Sequence, residues 1–268
     1  MNPYLHVMNL NLTNKHALVC GASKGIGKAA AIELAELGAN VTLLARTREA
    51  LEAVLDILPV SGNQAHDLIA VDVAKHDELE ERINLLTSKH PVHILVNNTG
   101  GPPPGPASTA APEQYLAAFR QHLVANQVIT RIVIEGMEEA GYGRIINIIS
   151  TSVKQPLDGL GVSNTIRGAV GNWAKTLANE LGSRGITVNN VLPGATATER
   201  LAQIVLQKAE KSGSSISEIE EKMKSSIPAG RFGKPEEIGA AVAFLATPAA
   251  AYINGTNLVV DGGRTKSL

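Results

Sequence analysis

The chain has 268 residues, of which 44% are hydrophobic and 18% charged, with 24 Lys+Arg against 25 Asp+Glu and one cysteine. It is long enough to bury a full core, and a net charge of −1 leaves no polybasic footprint for nucleic acid or an anionic membrane surface. A single cysteine excludes an intrachain disulfide and a multi-thiolate zinc site and fits a reducing, cytoplasmic compartment.

Taken in order, short apolar runs alternate with longer amphipathic ones. Residues 1–12 lack the basic and apolar regions of a signal peptide. HALVC at 16–20 predicts a buried strand, and 26–37 a helix that stops at Gly38. Residues 41–45, 68–71, 94–96, 144–149, 187–191 and 258–260 predict six more strands. Helices are predicted at 49–58, 77–88, 113–137, 163–181 and 235–246. Strands alternating with helices, and apolar throughout, predict a doubly wound α/β fold: a Rossmann-type, mainly parallel sheet of about seven strands. No run of 18 apolar residues predicts a membrane helix. Residues 1–268 read as one domain.

Two segments interrupt the alternation. Residues 100–111 (GGPPPGPASTAA) form a Pro/Gly loop after a strand, and 199–227 form a polar helical insertion. Ser217-Glu218-Ile219-Glu220 has capping-box spacing, so a helix is expected to start there. Both segments leave carboxyl ends of strands, where doubly wound sheets bind ligands, and are read as cleft walls or a lid.

Gly21-Ala22-Ser23-Lys24-Gly25-Ile26-Gly27 lies between the first strand and first helix. Glycines there allow a tight turn and close backbone approach to a pyrophosphate, with free helix N–H groups facing the anion. The alternative is a tight βα turn without a ligand. The second strand ends Ala45-Arg46, with no acid until Glu49. Arg46 and Lys24 would suit the 2′-phosphate of NADP better than the bare ribose of NAD; the alternative is two solvated charges. His90 and His93 flank Pro91 with no carboxylate or thiolate nearby, so no metal site is expected. Cys20 reads as a small buried hydrophobe.

These residues resemble the short-chain dehydrogenase/reductase family over about 16–263. The loop Gly21–Gly27, Asp72-Val73, Asn97-Asn98-Thr99-Gly100, and Pro193-Gly194 followed by Thr198 match its motifs in order. The segment 227–263 is similar to 3-oxoacyl-acyl carrier protein reductases. The resemblance implies cofactor contacts from Gly21, Ser23, Lys24, Gly25, Ile26, Gly27, Arg46, Asp72, Val73, Asn98, Gly100, Pro193, Gly194 and Thr198. It also implies a small carbonyl or alcohol substrate and a homodimer or homotetramer, with helices such as 163–181, which carries Trp173, packed in the core or between subunits.

The family's chemistry uses Ser, Tyr, Lys and Asn. Ser150 matches the Ser. The Tyr position is Ser163, the Lys position Arg167 and the Asn position His122. An aliphatic hydroxyl is a far poorer acid than a phenol, and Arg167 stays charged, although it can hold ribose hydroxyls or a phosphate. Tyr115 and Tyr142 are expected near helix and loop ends away from the site, and Tyr4 and Tyr252 near the termini. His122 or Lys154 are the candidate proton sources, acting through Ser150 or a water. For His122 the alternative is a helix residue hydrogen-bonded behind the site, and for Lys154 a solvated loop charge. Three functional readings follow: an NADP(H)-dependent oxidoreductase with an unconventional proton donor, an NADP(H)-binding sensor or structural protein without turnover, and a scaffold that binds no nucleotide.

Overall fold

A computed structural model describes residues 8–267. Seven strands, β1 (His16–Cys20), β2 (Asn40–Ala45), β3 (Asp67–Ala70), β4 (Ile94–Asn97), β5 (Gly143–Ile148), β6 (Ile186–Pro193) and β7 (Asn257–Val260), form one parallel sheet in the order β3-β2-β1-β4-β5-β6-β7. β1, β4 and β5 are buried along their whole length because helices cover both faces. That explains why their sequences are runs rather than alternations.

One face carries α1 (Gly25–Glu36), α2 (Arg48–Leu55) and α9 (Pro235–Ala246). Their Leu34, Leu51, Val54 and Val242 pack with Val19, Leu43 and Ile146 of the sheet. α9 sits close on α1 because Gly239 has no side chain: a Cβ there would lie 2.9 Å from the carbonyl carbon of Ala29. The other face carries α3 (His76–Thr87), α5 (Ala125–Glu139) and α6 (Gly161–Leu181), with Leu79, Ile83, Val133 and Leu177 against Leu18, Leu95 and Val188. Trp173 joins α6 to α5 by donating its indole N–H to Gln127 Oε1 at 2.8 Å. No helix among the described residues is long and apolar enough to cross a membrane.

The expected helix over 113–137 is not continuous. α4 (Pro112–Phe119) passes through a π-helical turn, Arg120–Val124, before α5 begins. The turn carries His122 and widens the helix where it passes the carboxyl end of β4. The insertion forms α7 (Glu199–Ser212) and α8 (Ile216–Ser225). The cap of α8 lies two residues before the expected one. Gly213, in a left-handed conformation (φ 68°), ends α7, and the chain then runs extended through Ser215. The box is therefore Ser215 with Glu218: Ser215 Oγ accepts the Glu218 N–H, and the Glu218 carboxylate accepts the Ser215 N–H at 2.8 Å. S-x-x-E occurs in both registers, and the turn before it selects the first.

Candidate functional site

β1 sits where the strand order reverses, between β2 and β4, and a cleft of about 1360 Å3 opens beyond the carboxyl ends of the strands. Gly21, Ser23, Lys24, Gly25 and Ile26 form one wall; Arg46, Asp72 and Val73 close one end. Asn98 and Gly100, Ser150, Arg167, and Pro193, Gly194 and Thr198 follow along the floor. The residues from Gly21 to Thr198 that the sequence suggests for the cofactor line this one cavity, except Gly27, which packs behind the loop against the Gly21 carbonyl.

The glycine loop is held by the protein itself. Asn98 Nδ2 donates to Gly21 O at 3.2 Å. A Cβ on Gly27 would lie 2.2 Å from that same carbonyl, so the inner edge of the loop has no room for a side chain. Gly21 itself has φ 60°, a left-handed conformation suited to glycine. The N-terminus of α1, where Lys24 is the cap, has no side-chain cap, so its first-turn N–H groups stay open toward the cleft. This donor array, with Arg46 exposed at the far end and Asp72 beside it, fits a dinucleotide: backbone donors for the pyrophosphate and polar side chains at the adenosine end.

Lys24 is not free. Its ammonium donates to Glu199 Oε2 at 2.5 Å, tying the glycine loop to the start of α7. Arg46 makes no ion pair among the described residues. Thr198 caps α7, accepting the Leu201 N–H at 3.4 Å and donating to Thr196 O at 3.3 Å. α7 is tied in turn to the Pro/Gly loop: Arg200 Nη2 donates to Pro102 O at 2.9 Å.

At the reacting end, Ser150 follows β5 and starts a short 3-10 turn, its Oγ accepting the Ser152 N–H at 3.1 Å. Its hydroxyl proton has no acceptor among the described residues. Arg167 is 8% exposed. It donates through Nη1 to Ile148 O at 3.0 Å and through Nη2 to Thr99 O at 3.4 Å. Burial pulls its guanidinium down to a pKa of about 10, so it stays charged at neutral pH.

Two proton-source expectations meet the structure differently. His122 is buried in the π-helical turn, with Nδ1 hydrogen-bonded to Thr99 Oγ1 and Nε2 without a partner. Burial, reinforced by the charge on Arg167, lowers its pKa to about 3. Its ring is therefore held in the neutral form, and like Lys154 it does not line the cleft. Lys154 and Ser163 do not line the cleft. Of the tyrosines, Tyr115 packs on α6 against Val162 and Ile166 and does not line the cleft. Tyr142 lies at the opposite end of the sheet, donating to Ala246 O, under Lys15 and Arg144. Tyr252 is fully exposed, and Tyr4 lies outside the described residues. Burial raises the Cys20 thiol to about 12, as an inert core thiol requires. Among the described residues no group of His, Cys, Asp or Glu is placed to hold a metal.

Sequence reasoning missed a ladder under the cleft floor. Asn97, Asn147, Asn190 and Asn257 stand in register on β4, β5, β6 and β7. Each amide donates to the next, at 2.9, 3.0 and 2.8 Å. The signal is an Asn inside an otherwise apolar strand, repeated on neighbouring strands.

A family model described as enoyl-(acyl carrier protein) reductase matches residues 21–265. The chain belongs to the short-chain dehydrogenase/reductase family. It is 35% identical over 257 residues to the 3-oxoacyl-[acyl-carrier-protein] reductase FabG of Vibrio cholerae serotype O1, covering 95% of this chain and 98% of the relative. It is 31% identical over 261 residues to the 7alpha-hydroxysteroid dehydrogenase of Escherichia coli K12, covering 97% and 98%. The structure of L-sorbose reductase from Gluconobacter frateurii, complexed with NADPH and L-sorbose, superposes with a TM-score of 0.91 at 29% identity, covering 97% of this chain and all of that one. As a short-chain reductase the chain is an NAD(P)-dependent oxidoreductase, and the seven-stranded sheet is the family's Rossmann-type core.

Proposed function

We propose that the chain is an NADP(H)-dependent oxidoreductase that reduces a small carbonyl compound or oxidises the corresponding alcohol. In this reading residues 1–268 act as one domain with 199–227 as the lid, and the chain works in the cytoplasm as a homodimer or homotetramer. The observation that carries it is the convergence of the glycine loop, Asp72, Asn98, Ser150 and Pro193-Gly194 on one cleft roofed by α7.

Gly21, Ser23, Lys24, Gly25, Ile26 and Gly27 would hold the pyrophosphate, with Asp72 and Val73 at the adenine and Arg46 at the 2′-phosphate. Asn98, Gly100, Arg167, Pro193, Gly194 and Thr198 would border the ribose and nicotinamide. When bound, the cofactor supplies or takes up the hydride. Ser150 donates its free hydroxyl proton as a hydrogen bond to the substrate oxygen, stabilising the negative charge that develops there. With Ser163 and Arg167 at the usual Tyr and Lys positions, and His122 neutral, the proton that completes the alcohol comes from water reaching Ser150. His122 acts as a positioning residue, holding Thr99, whose carbonyl holds Arg167.

Titration with NADPH and NADH tests this reading. NADPH should bind the more tightly, and Arg46→Ala should lower its affinity at least about tenfold while leaving NADH unchanged. Equal binding would remove the NADP preference, and no binding would overturn the reading. A second reading, a nucleotide-binding protein without turnover, draws on Ser163 and Lys154 standing outside the cleft. NADPH oxidation across a carbonyl panel separates the two.

A further inference from the structure

Arg167 is more than nine-tenths buried, lines the cleft and stays charged, yet no carboxylate lies beside it among the described residues. Among the described residues its hydrogen-bond partners are two backbone carbonyls. Arg144, the other buried arginine among the described residues, is different: it lies over the Tyr142 ring at 4.1 Å and does not line the cleft. A buried charge without a counter-ion is costly. Arg167 has five N–H donors and uses two, leaving a guanidinium edge for an anion in the cleft.

A second observation lies in the lid. Arg200, Leu201, Ile204, Gln207, Lys208 and Lys211 of α7 all line the cleft, a spacing that puts them on one helix face. Glu210 does not line it, nor do the acids of α8. Charges that interleave in sequence are thus sorted in space. Beyond the glycine loop, the cleft carries Arg46, Arg167, Arg200, Lys208, Lys211 and Arg264 against two acids, Asp72 and Asp158, besides Glu199, which is paired with Lys24.

We infer that the substrate carries a carboxylate beside the reacting carbonyl, a 2-oxo acid or its 2-hydroxy acid, held by Arg167 and drawn in by the cationic face of α7. The adjacency follows from the fold: Arg167 is anchored on Ile148 O, two residues before Ser150, so the anion site and the oxygen site share the end of β5. The planar guanidinium suits bidentate carboxylate binding. This inference rests on the oxidoreductase reading for the role of Ser150, but its test does not need turnover.

Oxamate and oxamide are near-isosteric and differ by one charge. Calorimetric titration of both, on the nucleotide-free and the NADPH-saturated chain, should show oxamate binding at least about tenfold more tightly. Arg167→Gln should erase that preference and Arg167→Lys retain part of it. Lys208→Gln with Lys211→Gln should weaken oxamate only at low salt, as expected for steering charges. Equal affinities in the unmodified chain, no measurable oxamate binding, or a preference surviving Arg167→Gln would overturn the inference. If Arg167→Gln fails to fold, the oxamate–oxamide ratio of the unmodified chain and of Arg167→Lys decides. Failure of NADPH to bind would instead sink the oxidoreductase reading, while oxamate on the nucleotide-free chain still decides the anion site.

Discussion

Removing Asn147 should destabilise the chain more than removing any other member of the asparagine ladder. Asn147 is 0% exposed, accepts from Asn97 and donates to Asn190. In Asn147→Ala, Asn97 loses its only side-chain partner, since its Oδ1 is already unpaired, and Asn190 Oδ1 loses its donor. Each buried polar atom left unsatisfied costs about 1–3 kcal/mol, so the expected loss is about 2–6 kcal/mol. Asn257→Ala removes one bond at a half-buried site where water can replace it, and should cost about 0.5–1.5 kcal/mol. Urea unfolding at neutral pH measures both through the transition midpoint, provided the slope is unchanged. A midpoint shift for Asn147→Ala no larger than for Asn257→Ala would refute the ladder as a source of stability.

Two further outcomes follow from packing and burial. His16 donates its backbone N–H to His93 Nδ1, pairs its ring with Thr42, and has a pKa lowered to about 4, first by burial and then by the neighbouring His90 and His93. The folded chain therefore binds fewer protons than the unfolded one; stability is fully present above about pH 6.5 and is lost as pH falls towards 4, by about 3 kcal/mol. His16→Gln should flatten that slope in urea titrations across the range, and an unchanged slope would refute it. Gly27→Ala should lose NADPH binding and about 1–3 kcal/mol of stability through the clash with Gly21 O. Gly100→Ala, with nothing within 4 Å of its Cβ, should keep its stability within about 0.5 kcal/mol; thermal melts of the pair and NADPH titration of Gly27→Ala check these outcomes.

The strands and most helices were legible because their signals are local. Continuous apolar runs, the Gly38 stop and the 235–246 helix need only neighbours in sequence. The glycine-loop wall of the cleft was legible too, since its glycines and Asn98 have requirements set by the backbone around them. What the tertiary structure alone decided depends on residues distant in the chain. The π-helical turn around His122 carries no composition signal, and the neutrality of that histidine follows from burial beside Arg167, 45 positions away. Lys208 and Lys211 flank Glu210 in sequence, and only the folding of α7 turns the two lysines to the cleft without it. Arg167 could be read as a charged substitute for a lysine, but its lack of a counter-ion is a property of the whole surrounding shell. Local patterns fix elements because a backbone's period and caps are short-range; the charge balance of a cavity is a sum over segments that only folding brings together.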